Sequence, residues 1–347
     1  MKSAGAAAAA EREEESAHPG RPWWLVVAVV PLALVFVLCL RDATAWVGRP
    51  FAGFLFSDSR IVVSIGRASW RPAQLRRVEW SLVTAVDGQP TVTAAAVHAA
   101  VGAAGVGRER TYTFARGPEV FRLALPVRPF TWGDFAVVLA PMLGVGALCV
   151  VVGAVLVALR ADLPEARALF AVCQALGLAL LTGPDQYGPY RFTWLFFFSL
   201  AALPPALLQL TAACWRPSRG VARAVAGLYV VFAVVGGLLF ARRFEPSVFL
   251  PLLYLVYCTI ANALLLYVGT LVSALVSRRR PRAQVTLALA AILVSSIVAI
   301  GVNVAYPLIV GPISAPWFIL PMGLWPVLSG IAFVGLAGPR AAAGNVT

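Results

Sequence analysis

Residues 134–159 read DFAVVLAPMLGVGALCVVVGAVLVAL, an apolar stretch whose only charged residue, Asp134, stands at its first position. At about 1.5 Å per residue, a helix of this length exceeds the roughly 30 Å hydrocarbon core of a bilayer. A helix that is apolar on every face is typical of a membrane span rather than of a soluble surface helix. The stretch therefore predicts a membrane-spanning helix.

Seven apolar runs of this kind make up most of the second part of the chain. They cover 134–159, 165–183, 191–214, 220–241, 247–275, 284–306 and 312–337. Of all residues, 60% are hydrophobic and 12% are charged, which is about half the charged fraction of an ordinary soluble domain. Together with an earlier run at 23–40, they predict a mainly α-helical, polytopic membrane protein with about eight transmembrane helices.

The first apolar run, 23–40, has two interpretations. It is just long enough to span a bilayer, and the charged residues that follow it, from Arg41, fit an uncleaved anchor. The alternative is a secretory signal peptide, because residues 43–45 (Ala-Thr-Ala) have the small-x-small form of a cleavage site. The long acidic segment ahead of the run favours the anchor, and residues 1–22 are then predicted to be a disordered cytoplasmic tail.

Residues 46–130 differ from the rest of the chain, because charges return and apolar residues alternate with polar ones. The predicted elements are strands at 60–65 and 82–86, a helix at 93–104, and a hairpin formed by 111–115 and 120–125. Asp87-Gly88 predicts the turn that closes the second strand. The segment is therefore predicted to be a small α+β domain inserted between the first and second membrane helices.

The distribution of arginine predicts the orientation of the helices. With a cytoplasmic amino terminus, ten arginines fall on the cytoplasmic side: Arg160, Arg167, Arg216, Arg219, Arg223, Arg278, Arg279, Arg280, Arg282 and, in the tail 338–347, Arg340. The links on the opposite side contain three, Arg191, Arg242 and Arg243. Such an excess marks the cytoplasmic side. We therefore predict a bacterial inner-membrane protein with both termini cytoplasmic and residues 46–130 outside the cytoplasm.

The soluble segment has a recognisable order of elements. Gly53-Phe54-Leu55 precedes the strand at 60–65, and LVTAVDGQP at 82–90, the helix and the hairpin follow. In this order the segment resembles a bacterial PDZ-like domain. The resemblance implies that the amides of Gly53, Phe54 and Leu55 bind a ligand carboxylate and that the strand at 60–65, with Ile61 and Val63, pairs with a peptide. The chain departs from the family pattern at 79–80, where Glu-Trp replaces the usual Gly-Asp, and in the loop itself, which matches Gly-Leu-Gly-Phe poorly.

The order of the whole chain is an anchor helix, the PDZ-like domain and a seven-helix block at 134–337. It resembles the membrane sensor region of some bacterial histidine kinases. The likeness is carried by RPFTWGD at 128–134, PEARA at 164–168, DQYGPYRF at 185–192 and RRRPRAQ at 278–284. In those kinases a phosphoacceptor histidine and an ATP-binding domain follow the last span, whereas this chain ends at Thr347. The expected partner is therefore a separate cytoplasmic kinase or other output protein, and truncation of an output domain is the alternative.

Several function classes are excluded by missing motifs. The sequence has no His-Glu-x-x-His zinc motif, no phosphate-binding Gly-x-x-x-x-Gly-Lys-Ser/Thr loop, and no histidine in a span to serve a serine nucleophile. All five cysteines lie in apolar runs, which argues against a disulfide framework or a cysteine metal site. The net charge of +13 is not arranged as a basic stripe interleaved with aromatic residues. We expect a non-enzymatic protein with no cofactor, no metal and no nucleic-acid partner.

Polar residues inside the predicted spans have two interpretations. The three of most interest are Gln209, Asn262 and Asn303. Amide side chains at such depth commonly form hydrogen bonds between helices. The alternative is that the three line an intramembrane ligand pocket.

The link between the third and fourth predicted spans also has two interpretations. Its polar and aromatic residues are Asp185, Tyr187, Tyr190 and Arg191. They predict either solvated residues at the membrane interface or an extracytoplasmic ligand-binding or docking loop. His98, on the predicted domain helix, is expected to be a surface residue.

The sequence as a whole predicts a membrane sensor or scaffold. The PDZ-like domain binds an extracytoplasmic peptide or other ligand, and the helices, surrounded by membrane lipid, pass a population shift to the cytoplasmic partner. The alternative is a secondary transporter or channel-like protein. Transport sites usually need charge or unwound helices near the midplane, so a charged residue facing a central cavity would favour that alternative.

Overall fold

The computed structural model describes residues 23–64, 70, 78, 80–161, 163–213 and 219–276. The helices are Trp23–Thr44 (α1), Ala94–Ala104 (α2), Trp132–Arg160 (α3), Pro164–Thr182 (α4), Thr193–Ala213 (α5), Arg219–Ala241 (α6) and Pro246–Val276 (α7). The strands are Pro50–Phe51 (β1), Leu55–Phe56 (β2), Val62–Ser64 (β3), Leu82–Val86 (β4), Gln89–Pro90 (β5), Glu109–Arg116 (β6), Glu119–Pro126 (β7) and Arg128–Pro129 (β8). A π-helical turn at Phe135–Leu139 lies within α3, and a 3₁₀ turn at Pro184–Tyr187 follows α4.

Five of the described helices, α3 to α7, are long and apolar enough to cross a membrane. They coincide with the predicted runs from 134–159 to 247–275, so the chain is a mainly helical, membrane-embedded protein. The first predicted run, 23–40, lies within α1, and its crossing of the membrane stays a prediction. The last two predicted spans, 284–306 and 312–337, and both predicted tails lie outside the described residues.

The segment between α1 and α3 folds into short antiparallel sheets. The largest has the strand order β5-β4-β6-β7, and β2 pairs separately with β3. Strand β4 coincides with the predicted strand at 82–86. The β6–β7 hairpin turns at Gly117, whose φ of +57° is a conformation that glycine adopts readily. Strand β1 pairs with β8, Pro50 opposite Pro129, so the two ends of the domain meet beside its connections to α1 and α3.

The soluble domain has its own apolar core beneath α2. The hydroxyl of Thr93 accepts a hydrogen bond from the amide of Ala96 at 3.2 Å, which caps the start of the helix. Val97 is fully buried on its inner face. The ring of Phe54 lies 5.1 Å from that of Tyr112, with the planes nearly perpendicular, a favoured aromatic arrangement. This core fixes α2 over the sheet.

Helices α3 and α4 pack closely because small residues face each other. A Cβ atom added at Gly146 would lie 2.9 Å from the carbonyl oxygen of Gly177, and one added at Gly153 would lie 2.7 Å from Cβ of Cys173. In a membrane, where lipid tails are as apolar as leucine, this close backbone approach is a main source of helix association. The α3–α4 contact therefore depends on glycine at these positions.

Substitution of Gly146 by alanine should lower the free energy of unfolding by about 1–2 kcal/mol, because the new methyl group overpacks the α3–α4 contact. Gly144→Ala is the matched control, since a Cβ at Gly144 meets nothing within 4 Å. Unfolding of the two variants by titration with a denaturing detergent measures the difference. Equal midpoints for Gly144→Ala and Gly146→Ala would contradict the prediction.

Among the described membrane helices, α4 and α5 are central and α6 and α7 are peripheral. In the 18-residue apolar stretches of α4 and α5, 67% and 61% of the residues are buried, compared with 11% and 22% in those of α6 and α7. The outer faces of the peripheral helices carry exposed apolar side chains, such as Val230 and Leu255. Such faces suit contact with lipid.

Candidate functional site

Among the contacts between the soluble domain and the membrane helices, two contain titratable side chains from both parts, and the first of these is aromatic. The ring of His98, on α2, stacks on that of Phe56, on β2, with centroids 4.5 Å apart. The ring of Trp46, which follows α1, meets His98 edge-on at 5.5 Å. Tyr190, in the link between α4 and α5, completes the cluster. We call these four residues the aromatic contact.

Tyr190 comes from the helix block but packs against the core of the soluble domain. Its hydroxyl lies 3.0 Å from Nε2 of His98, within hydrogen-bond distance. Its backbone has a φ of +68°, which is uncommon for a residue with a side chain and is maintained only where surrounding contacts determine it. The side chain of Tyr190 therefore packs beside His98 of α2, against the core of the soluble domain.

Asp185 determines the conformation of the link that carries Tyr190. Its carboxylate accepts hydrogen bonds from the amide of Arg191 at 3.1 Å and from that of Phe192 at 2.6 Å. These amides stand just ahead of the first turn of α5, where backbone donors lack helical partners. Asp185 is only 3% exposed. The carboxylate of Asp185 therefore binds backbone amides of its own link. The guanidinium of Arg191 lies instead 3.4 Å from the carboxylate of Asp42 on α1.

Both polar groups of the aromatic contact are neutral at pH 7. Burial lowers the pKa of His98 from 6.5 to about 4, although a hydrogen bond to the backbone of Tyr187 opposes the shift. Burial also raises the pKa of Tyr190, and the carboxylates of Asp58 and Asp185 add to that increase. The contact is therefore a neutral hydrogen-bonding pair surrounded by aromatic rings.

The second contact is an ion pair between the domain and the link from α6 to α7. Nε of Arg243 lies 2.5 Å from a carboxylate oxygen of Asp58, with side-chain exposures of 19% and 11%. The guanidinium also lies over the rings of Phe240 and Phe244, 4.1 and 4.3 Å from their centroids. Burial raises the pKa of Asp58, and Arg243 opposes that shift. We call Asp58 and Arg243 the ion-pair contact.

The predicted carboxylate-binding loop, Gly53-Phe54-Leu55, and Ile61 of the predicted peptide strand are all buried. Gly53 has a φ of +84°, and the side chains of Phe54 and Leu55 are buried in apolar clusters. Ile61 is buried against residues of α5 and α7. Val63 lies in β3, and its side chain is outside the described part of the structure.

The strand predicted to receive a peptide has partners on both sides at Ile61 and Val62. The amide of Val62 donates to the carbonyl of Ser81 at 2.9 Å, and the amide of Ser57 donates to the carbonyl of Ile61 at 2.9 Å. Strand β3 also pairs with β2. At Ile61 these neighbours already use both edges of the strand, which leaves no free edge there in this state. Strand β2, which lies under α2, pairs with β3 alone among the described strands.

The polar residues proposed to form an intramembrane pocket have separate partners. The side chain of Gln209 accepts a hydrogen bond from the hydroxyl of Tyr229 at 2.7 Å, which joins α5 to α6. The side chain of Asn262 is exposed and donates to the carbonyl of Cys258 on its own helix at 2.9 Å. Asn303 lies outside the described residues. Gln209 therefore fits the interhelical interpretation.

Of the six residues of these two contacts, sequence reasoning placed only Tyr190 in a candidate site. His98 was expected at the surface, but it is partly buried and contacts Trp46, Phe56 and Tyr190. Asp58 was assigned no role, and Arg243 counted only as a topology signal. The link at 185–191 was predicted as a candidate docking loop, and within this chain its Tyr190 does contact the soluble domain.

No protein-family model, curated protein or solved structure matches this chain. Across the described ranges, no group of three or more His, Cys, Asp or Glu side chains is arranged to bind a metal ion. The functional argument therefore rests on the two contacts between the domain and the helices.

Proposed function

We propose that this protein is a membrane sensor or scaffold whose soluble, PDZ-like domain binds an extracytoplasmic peptide. The helices then signal to a separate cytoplasmic partner, such as a kinase. One observation carries the proposal: the side chain of Tyr190, from the link between two membrane helices, packs against the core of the domain with its hydroxyl 3.0 Å from Nε2 of His98 on α2. We call the position that this side chain occupies beside His98 the groove, and a ligand bound there and Tyr190 would exclude each other.

The groove has the parts that peptide binding needs. Strand β2 pairs with β3 alone among the described strands, and the Gly53-Phe54-Leu55 loop leads into it. Both are buried in this state, so in the proposal the other edge of β2 receives the peptide only after Tyr190 has left. In this mode the main chain of the strand supplies affinity, and amides of such a loop can bind a terminal carboxylate. The peptide would take the place of the Tyr190 side chain beside His98.

Displacement of Tyr190 would reach the helices directly. Tyr190 stands three residues before the start of α5, and its amide donates to the carbonyl of Asp185 at 3.2 Å. A ligand that binds only when Tyr190 is displaced shifts the population toward that state by its differential affinity. The shift would change the link that joins α4 to α5, the two central helices.

Competition between peptide and Tyr190 gives a direct test. The full-length protein in detergent is screened against a library of peptides with a free carboxyl terminus, and hits are remeasured with Tyr190→Ala. The hydrogen bond and ring contacts of Tyr190 are worth roughly 1–2 kcal/mol. We therefore expect Tyr190→Ala to bind about tenfold more tightly, and amidated peptides to bind weakly.

Trp194→Ala is the matched control for this test, because Trp194 is four residues away and its side chain is exposed. It should bind the selected peptides with wild-type affinity. Equal affinities of wild type and Tyr190→Ala would refute competition in the groove. A library without any binder to either protein would refute peptide recognition.

The orientation of the proposed sensor is tested separately by cysteine labelling. With a membrane-impermeant thiol reagent, Gly88→Cys should react in intact cells and Ser277→Cys only after permeabilisation. The wild-type protein controls for its native cysteines. The opposite pattern would place the domain in the cytoplasm.

A pull-down from native membranes, which should recover a cytoplasmic kinase, cyclase or phosphatase, tests the signalling partner.

A further inference from the structure

A second cleft lies where the soluble domain meets the amino-terminal end of α7. Its volume is about 230 Å³. The domain contributes Ile61, Trp80, Leu82 and Arg116, and α7 contributes Pro246 and Leu250. The cleft is separate from the groove beside His98.

The floor of the cleft is the face of a sheet. Ile61 forms an antiparallel bridge with Leu82, and Leu82 is paired with Ala115 on β6. These three residues are neighbours across the sheet, and the backbone of each already has a partner. The cleft therefore lacks the open strand edge that would bind an extended peptide.

The cleft lies at the level where a membrane span begins. Pro246 is the first residue of α7, one of the helices long enough to cross a membrane, and Leu250 is one turn further along. The rings of Trp80 and Tyr254 are 6.1 Å apart, and Tyr254 is exposed on the surface of α7. Tryptophan and tyrosine are enriched at membrane interfaces. The apolar surface of α7 therefore continues into the cleft.

Arg116 provides the charge of the cleft. Among the described residues, Arg242 is paired with Glu245 and Arg243 with Asp58, whereas Arg116 forms no ion pair. Arg116 is exposed, and Glu119 stands opposite it in the β6–β7 pairing without forming an ion pair with it. An apolar cleft edged by this cation at the membrane surface matches an anionic amphiphile. Its apolar part fits the sheet face and Leu250, and its anionic part fits the guanidinium.

We infer that this cleft binds an anionic phospholipid from the leaflet that meets the amino-terminal end of α7. One acyl chain lies between the sheet face and Leu250, and the phosphate faces Arg116. Such a lipid would join the soluble domain to α7 at a point distinct from the aromatic and ion-pair contacts. The site does not depend on the proposed peptide groove.

Native mass spectrometry of the full-length protein tests the inference. The protein is delipidated in mild detergent and titrated with phosphatidylglycerol or phosphatidylcholine, and bound lipid is counted. Arg116→Gln should lower the apparent affinity for phosphatidylglycerol about fivefold, the change that corresponds to about 1 kcal/mol per basic residue near a lipid surface. Arg122→Gln, on the adjacent strand and exposed, is the matched control and should bind as wild type.

Filling the cleft provides an independent arm. Leu250→Trp should abolish the tight phosphatidylglycerol site, whereas Leu255→Trp, on the exposed surface of the same helix, should retain it. Inorganic phosphate at millimolar concentration should not compete. Equal lipid binding by Arg116→Gln and Arg122→Gln, or wild-type binding by Leu250→Trp, overturns the inference. Competition by free phosphate also overturns the inference, because it would show that the acyl chain does not contribute to binding.

Discussion

Replacing Arg243 with glutamine should cost about 3 kcal/mol of stability and loosen the soluble domain from the helix block. Arg243 and Asp58 are both largely buried and their charged atoms are 2.5 Å apart. Removing one partner of such a pair leaves the other charge desolvated and without compensation. In this variant Asp58 is still buried, which raises its pKa, but the cation that opposes this shift is gone. Unfolding in detergent and hydrogen exchange of residues 53–58 measure the two effects.

The neighbouring residue provides a matched control. Arg242 pairs with Glu245, but both side chains are about half exposed, and exposed pairs contribute roughly 0–1 kcal/mol. Arg242→Gln should therefore leave stability and exchange almost unchanged. A double-mutant cycle with Asp58→Asn isolates the coupling. If Arg243→Gln and Arg242→Gln are equally stable, the ion-pair contact does not hold the domain to the helices.

The two arginines show what the sequence could reveal at this position. Both were counted on the same side of the membrane, because the positive-inside rule uses position between spans and nothing else. The two arginine side chains have different partners. Asp58, 185 residues earlier in the chain, pairs with Arg243, whereas Arg242 pairs with Glu245. A partner at that separation leaves no local pattern, so the ion-pair contact became visible only in the structure.

Helices and strands were predicted well where the signal is local. The run at 191–214 became Thr193–Ala213, and the strand at 82–86 has the same bounds in the structure. Apolar length and alternation are properties of neighbouring residues, so they can be counted along the chain. The availability of the strand edge at Ile61 was not predictable in this way, because its partner Leu82 belongs to a separate segment of the chain.

The loop at 185–191 was recognised by its composition, but the division of roles within it was not. Asp185 had been grouped with Tyr190 as a ligand or docking residue. The carboxylate of Asp185 instead accepts hydrogen bonds from two amides just ahead of α5, and the side chain of Tyr190 reaches His98. An acidic residue several positions before a helix looks the same in sequence whether it binds a ligand or organises the link.

The aromatic contact should weaken in mild acid, by about 2 kcal/mol between pH 7 and pH 5. The pKa of His98 is about 4 in the folded protein and 6.5 when exposed. On acidification, His98 binds a proton at a higher pH in the unfolded protein than in the folded protein. The contribution of neutral His98 to stability is therefore present above pH 6.5 and is lost as the pH falls from 6.5 toward 4. The raised pKa of Asp58 acts in the opposite direction, because its carboxylate becomes less costly to bury as the pH falls.

His98→Gln separates this effect from the titration of other groups. Glutamine keeps a polar group opposite Tyr190 but does not titrate, and His18, the other histidine of the chain, is present in both proteins and cancels. Wild type should lose stability between pH 7 and pH 5, and hydrogen exchange of α2 should rise, whereas His98→Gln should change little. Identical pH profiles would show that His98 does not control the contact. If the two pH profiles differ as expected, acid would act in the same direction as a peptide in the proposed mechanism, because both favour the state in which Tyr190 leaves the groove.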